Sequence, residues 1–429
     1  MKKIVLIHCY SDQNRGDAGI IESTIDLIRD IHADSKVDAI SVFHEHDERF
    51  KNDHYFTSKI VTNIHPALFF EPSIQKNGRG YSVLKKVCMF FKLLLVNALL
   101  LLFPNEGFAK FILSSEQFKT FKCIKEADVV ISKGGSFLYS LKGVNGDFFL
   151  FRMLFSFLLP LRMNKKVGIF SQSVGPFENS FSKHALFFVL KRLDHIYLRE
   201  EKCLKFLPQD ISLKVDIIPD SAFYLKSNKQ IEFNLSGSKK VAITARPHKF
   251  SNDNNIQTEM FEKYLNSLAK MAIYLISIGY EIHLIGQVTG PSRQEDDRVA
   301  LAKLNEILLP HKNNVVFWDE EKQLMSPKEL QSLYSKMNMV IGTRLHSSIF
   351  SMAAGVPTIN ISYHGTKSQG IMKSVGLEDF VMDITKMDSK NGIKLIDTIL
   401  EHNEFKLILD ESVKIHRKSL YTAMNQLVN

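Results

Sequence analysis

Short runs rich in Val, Ile and Ala alternate with stretches of helical length along this sequence, and the alternation is written twice. In the first half the runs are KIVLIH (3–8), VDAISVF (37–43), DVVISK (128–133), KVGIFSQ (166–172), HIYLR (195–199) and DIIPD (216–220). Helical patterns such as AGIIESTIDLIRDI (18–31) and SKHALFFVLKRL (182–193) lie between them. A half-solvated strand would alternate apolar with polar residues. Consecutive apolar positions mark strands buried on both faces, which implies a parallel sheet covered by helices. A polar stretch, KSNKQIEFNLSGSKK (226–240), reads as a linker. The pattern then restarts with VAITARP (241–247), EIHLIGQ (281–287), NVVFWD (314–319), MVIGT (339–343) and TINIS (358–362). The 429 residues exceed what one core organises, so domains of about 200 residues are the expectation. The fold class predicted is α/β, with two doubly wound Rossmann-like domains facing across a cleft. They span residues 1–228 and 238–390, with an apolar helical insertion at about 83–113 and a C-terminal helical segment at 391–429.

In open α/β sheets ligands bind beyond the carboxyl ends of the strands. The residues following each strand are therefore the candidates for chemistry. The densest such region reads GTRLHSSIFSMAAGVPTINISYHGTKSQG (342–370). A strand ends at Gly342 and Thr343, and a helix opens with His346, Ser347 and Ser348. The first turn of a helix presents free N–H groups and a partial positive charge, an anion site before any side chain is counted. Arg344 adds a planar fork of donors suited to phosphate or carboxylate. His346 can hold a proton near neutral pH and hand it over. Tyr363, His364 and Lys367 close the next strand, and a lysine at a helix start opposes the helix dipole, which favours a bound anion there. ARPHKF (245–250) offers Arg246 and His248, and LREEKCLKFL (198–207) offers Arg199 at the end of a first-domain strand. Each has a bland reading: an ion pair for Arg344, a satisfied core imidazole for His346, a solvated side chain for Lys367, a surface cap for Arg199. Their accumulation at successive strand ends favours an anion site.

The first-domain loops are glycine-bearing in the same register: NRGDAGIIES (14–23), SKGGSFLYS (132–140) with Gly134 and Gly135, and SQSVGPFENS (171–180). Asp17 reads either as a helix N-cap or as an acceptor or general base for a sugar hydroxyl. None of these loops is GxGxxG or GxxxxGK[ST], so dinucleotide and Walker-type sites are not supported. The Asp296–Asp297 pair reads as a metal or sugar ligand or as an exposed helix start, and the helix start is the expectation.

Lys plus Arg number 55 against 46 for Asp plus Glu, a formal net charge of +9 spread along the chain. A dispersed excess suits small anionic substrates or an anionic membrane surface, and nucleic acid is not the expected partner. The four cysteines are far apart without a CxxC, so neither a metal site nor a disulfide framework is expected, and a reducing cytoplasm fits. Residues 83–104, VLKKVCMFFKLLLVNALLLLFP, carry an apolar run shorter than a membrane span, flanked by Lys85, Lys86 and Lys92. That pattern fits an interfacial helix facing anionic headgroups, or a helix packed in the core.

Taken together, NRGDAGI, DVVISKGGSFL, SQSVGPF, IYLREE, PDSAF, ARPHKF and MVIGTRLHSSIFSMAAGVPTINISYHGTKSQG resemble the polysaccharide pyruvyl transferases over about residues 1–390. The RLHS block followed by the Tyr and Lys of YHGTK is the most specific part. The resemblance implies a GT-B-like fold and transfer of the enolpyruvyl unit of phosphoenolpyruvate onto two hydroxyls of a sugar, giving a pyruvate ketal and phosphate. It implies Arg199 and His346 as donor-binding residues, with Arg344 and Lys367 as helpers. Ser347, Arg246, His248, Tyr363, Gly134 and Gly135 are the further substrate-binding candidates. No cofactor and no metal are expected. The acceptor sugar fits a polyprenyl-diphosphate carrier, and the protein is expected in the cytoplasm with peripheral contact at the inner membrane face. The rival enzyme reading is a GT-B glycosyltransferase using a nucleotide sugar. A membrane-associated assembly factor with a degenerate site is the non-enzymatic rival, against which the complete Arg344, His346 and Lys367 set argues.

Overall fold

Fourteen strands, all paired in parallel, run through the described chain. The structure is a computed structural model, and it describes residues 1–69, 82–140, 142–227, 233, 235, 237, 239–318, 325–363, 367–402 and 404–429. Most of the polar stretch 226–240, together with His364, lies outside the described residues. The described chain divides into two units. Unit 1 comprises Met1–Asp12, Ile20–Ser221 and Ser419–Asn429; unit 2 comprises Gln13–Gly19 and Ala222–Lys418.

Unit 1 is built on β1 (Lys3–Cys9), β2 (Lys36–Ser41), β3 (Ile64–His65), β4 (Val129–Ser132), β5 (Gly135–Ser140), β6 (Lys166–Phe177), β7 (His195–Leu198) and β8 (Val215–Ile217). Their order is β3-β2-β1-β4-β6-β7-β8, with β5 alongside β6. Ile4, Val5, Leu6, Ile7, Val130 and Ile131 are all buried, as two-sided covering of a parallel sheet requires. Burying one such side chain contributes about 1.5–3 kcal/mol.

The insertion forms the helix Val83–Leu102, capped at its start by the Ser82 side chain. Leu93 and Leu100 enter the unit 1 core with Leu150, Met153 and Leu154 of the helix Val144–Arg162. The opposite face presents Leu84, Val87, Phe91, Leu95 and Leu102 outward, with Leu84 75%, Phe91 63% and Leu95 61% exposed. A three-to-four-residue spacing makes this one continuous stripe. The two readings of this segment thus describe its two faces: one belongs to the core and one does not. Among the described residues, no helix is long and apolar enough to cross a membrane.

Unit 2 is built on β9 (Lys240–Thr244), β10 (Glu281–Leu284), β11 (Val315–Phe317), β12 (Met339–Gly342), β13 (Thr358–Ser362) and β14 (Val381–Asp383), in the order β11-β10-β9-β12-β13-β14. Successive strands run outward from β9 in one direction and from β12 in the other, so the topological switch point lies between β9 and β12. That is where an open parallel sheet leaves a crevice for a ligand.

Candidate functional site

The carboxyl ends of β9 and β12 are held side by side by a chain of buried hydroxyls in unit 2. The backbone N–H of Arg246 donates to the Tyr264 hydroxyl at 3.3 Å, Tyr264 lies 2.9 Å from Thr343 Oγ1, and that hydroxyl donates to the Thr244 carbonyl at 2.9 Å. The Thr343 N–H in turn donates to Thr244 Oγ1 at 2.9 Å. Burial drives the Tyr264 phenol above its ordinary range, so it stays a neutral donor. This relay sets Arg246 and Arg344, each just past its strand, on either side of the switch point.

Arg344 is the N-cap residue of the helix Leu345–Ala353. Its Nε donates to Asp297 Oδ1 at 2.9 Å and its Nη2 to the Glu295 carbonyl at 2.6 Å. Asp297 is buried, and its other oxygen accepts from the backbone N–H groups of Gln287 at 3.0 Å and Val288 at 2.9 Å. The exposed helix start expected for the Asp296–Asp297 pair is therefore corrected. Asp297 is an interior carboxylate that orients Arg344, and Asp296 pairs with Arg298 through Oδ2 at 2.7 Å. Burial pushes the Asp297 carboxyl upward, opposed chiefly by Arg344. Although burial also acts against the charged guanidinium, Asp297 and then Tyr363 raise Arg344 above its ordinary value, so it remains a fixed cation.

Tyr363 follows β13 and hydrogen-bonds Arg344, while the Arg246 guanidinium lies over its ring at 3.9 Å from the centroid. One aromatic plane thus links the two cations. The His248 ring lies 6.0 Å from that of Tyr363, and burial followed by Arg246 holds its imidazole below the usual range. Ser347 is fully buried. Its hydroxyl donates to the Arg344 carbonyl at 2.6 Å and lies 3.2 Å from Thr244 Oγ1, which gives it a role in holding the turn. Lys367 opens the helix Lys367–Lys373, half-buried.

His346 meets the segment Gln13–Gly19 inside unit 2. A Cβ built on Gly16 would stand 2.4 Å from His346 Nδ1, so the backbone there lies flush against the imidazole and only glycine fits. Asn14, not Asp17, caps the helix Arg15–Ile31: its Oδ1 accepts from the N–H groups of Gly16 at 3.1 Å and Asp17 at 3.3 Å. Its Nδ2 donates to Asp17 Oδ2 at 2.8 Å, which leaves Asp17 oriented by the cap. Arg15 is a buried cation that motif reading passed over. It donates to the Gln13 carbonyl at 3.0 Å and to Thr289 Oγ1, and the Thr289 N–H donates to the Gln13 carbonyl at 2.9 Å. Only its place beside Asp17 in NRGD hinted at it.

Arg199, Gly134 and Gly135 belong to unit 1. Arg199 follows β7, is buried, pairs with Asp220, and donates through Nε to Ser173 Oγ at 2.8 Å. Ser173 donates onward to Glu200 Oε1 at 2.9 Å. Arg199 is thus anchored by acidic and hydroxyl partners, which a surface cap would lack. Gly135 has φ +142°, a conformation that L side chains rarely adopt, and a Cβ on Gly134 would stand 2.6 Å from the Ser171 carbonyl oxygen. Gly134 is required by the close approach of β6, and Gly135 by its backbone conformation.

These two units, each a parallel sheet within helices, are α/β domains of the GT-B class, and solved structures bear out the fold. The chain is similar to a putative UDP-N-acetylglucosamine 2-epimerase from Listeria monocytogenes, with TM-score 0.58 at 10% identity, covering 99% of this chain and 95% of that one. It is likewise similar to a UDP-glucose:anthocyanidin 3-O-glucosyltransferase in complex with UDP, with TM-score 0.52 at 11% identity, covering 100% and 99%. The polysaccharide pyruvyl transferase profile matches residues 14–365, and the chain belongs to that family. The amylovoran biosynthesis protein AmsJ of Erwinia amylovora is 27% identical over 417 residues, 94% of this chain and 93% of AmsJ. The protein is accordingly a pyruvyl transferase of polysaccharide biosynthesis.

Proposed function

We propose that the donor is phosphoenolpyruvate and that the product is a cyclic pyruvate ketal on two hydroxyls of a sugar. The observation carrying this reading is the pair of guanidinium groups, Arg246 and Arg344, bridged by Tyr363 at the switch point of unit 2. A small donor bearing both a carboxylate and a phosphate needs several fixed cations. In this reading His346 protonates the donor's methylene carbon, and the oxocarbenium-like centre takes a sugar hydroxyl. Inorganic phosphate departs, and the second hydroxyl closes the ring. One hydroxyl hydrogen replaces the proton delivered to carbon, and the other leaves with phosphate or solvent. Asp17 is the acceptor for a hydroxyl proton, and Lys367 and His248 add donor contacts.

Thermal melting with each ligand separately tests the donor. Phosphoenolpyruvate should raise the midpoint and a nucleotide sugar should not, since only a ligand bound by the native state stabilises it. Phosphate release that depends on a sugar acceptor completes the test. Stabilisation by the nucleotide sugar alone would favour glycosyl transfer.

The acceptor in this reading is carried on a polyprenyl diphosphate, and the enzyme meets it at the inner face of the cell membrane. Exposed Leu84, Phe91, Leu95 and Leu102, beside exposed Lys85 and Lys92, support that reading. Apolar burial and attraction to anionic headgroups act together on such a helix. Protein should float with anionic liposomes and less with neutral ones, and Phe91→Ser with Leu95→Ser should leave it at the bottom of the gradient. Equal flotation of wild type and variant would reject membrane contact through this stripe.

A further inference from the structure

Unit 1 gathers a second set of reactive side chains on one face of the β2–β3 edge. Side chains alternate across a strand, so Asp38 and Ile40 of β2 share a face, and the Ile40–His65 register puts His65 of β3 on it too. The helix Ser115–Glu126 lies over this face. Thr120 Oγ1 ties it to the Pro66 carbonyl at 3.0 Å, and the Cys123 thiol donates to Asp38 Oδ2 at 3.6 Å. One ligand atom from each of Asp38, His65 and Cys123 lies within 4.8 Å of the others. His65 Nε2 is buried and has no hydrogen-bond partner among the described residues. Asn63 Nδ2 donates to Asp38 Oδ1 at 2.9 Å, orienting the carboxylate. A cavity of about 160 Å³, lined by Asp38, Cys123, Asn63 and Glu126 among others, opens beside the cluster.

We propose that Asp38, His65 and Cys123 form a divalent-cation site, zinc by its donor set, that fastens the β2–β3 edge to this helix. Sulfur and nitrogen donors select zinc over magnesium or calcium. Ligands at zinc bond lengths in a tetrahedron stand about 3.6 Å apart, the separation already seen between Cys123 and Asp38. The cavity leaves room for water in the fourth position. Coordination sends the Cys123 proton to solvent, and thiolate, neutral imidazole and carboxylate occupy three positions. Lys3, paired with Glu126 at 2.8 Å, and Lys36 at the cavity wall are the nearby cations that a bound metal must tolerate. None of its three ligands is a donor-binding candidate, so its role is to brace the unit.

Titration of the reduced, full-length protein with cobalt(II) should produce a thiolate-to-metal charge-transfer band saturating at one equivalent, and zinc should raise the thermal midpoint. Cys123→Ser should abolish the band and the zinc shift. His65→Gln should weaken binding about tenfold or more, and Cys88→Ser, an exposed cysteine on another helix, should change neither. Far-ultraviolet circular dichroism of the metal-free variants establishes folding, and if Cys123→Ser fails to fold, His65→Gln carries the test. The proposal is overturned if wild type shows no band or if the band survives Cys123→Ser. It is equally overturned if binding is lost in His46→Ala but kept in His65→Gln, which would place the cation at the neighbouring His44, Glu45 and His46 group.

Discussion

Replacing His346 by alanine should lower turnover by about 100-fold or more while phosphoenolpyruvate still raises the melting midpoint. Proton transfer by a positioned side chain contributes about 10²–10⁴ in rate, whereas in the proposed reading donor affinity rests on the guanidinium pair Arg246 and Arg344 and on Lys367. The two measurements separate: phosphate release reports the chemical step and thermal stabilisation reports binding. Gly16→Ala sharpens the test, because a methyl group there would stand 2.4 Å from His346 Nδ1 and must push the ring aside. That variant keeps the imidazole but loses its position, so turnover should fall with the fold intact. Near-normal phosphate release from His346→Ala would remove the imidazole from the mechanism.

The largest effect on stability is expected at Arg344. Changing it to methionine leaves the Asp297 carboxylate buried without its cation, and breaking one side of a buried pair costs about 3–5 kcal/mol. Denaturant unfolding should show that loss, and activity should fall with it because, in the proposed reading, the donor loses one of its cations. Combining Arg344→Met with Asp297→Leu removes both charges together. Most of the stability should return in the double variant, since an apolar replacement of a buried ion pair is often neutral or favourable, but activity should not. If the double variant regains turnover, Arg344 serves the fold alone. If Arg344→Met unfolds no more easily than wild type, Asp297 is not an obligate partner.

Much of the architecture was legible because parallel strands buried on both faces must be written as apolar runs. KIVLIH and TINIS became strands with ends almost as read, the strand of VAITARP stops at Thr244, and that of KVGIFSQ runs on to Phe177. Three strands escaped: Ile64–His65 and Val381–Asp383, because two or three residues leave no periodicity to detect, and Gly135–Ser140, because the glycines of SKGGSFLYS read as a loop. The basic residues at strand ends were equally legible, since chain order alone puts Arg246 after β9 and Arg344 after β12. Their partners were not. Asp297 follows no strand pattern and sits next to Asp296, which is partly solvated, yet its burial and its bonds to Gln287, Val288 and Arg344 make it interior. Asp38, His65 and Cys123 lie on three elements whose packing alone brings them together.

Sequence by itself determined the doubly wound α/β class, the strand-end placement of Arg199, Arg246, Arg344, His346 and Lys367, and the family, because local periodicity and motif order are properties of the chain. Tertiary structure alone decided how these charges are paired: Arg199 with Asp220 and Arg344 with Asp297. It also decided that one face of Val83–Leu102 is core while the other stays uncovered, and that Gly16 lies against His346. The physical reason is that desolvation and charge pairing depend on distances through space, which residue spacing along the chain does not encode.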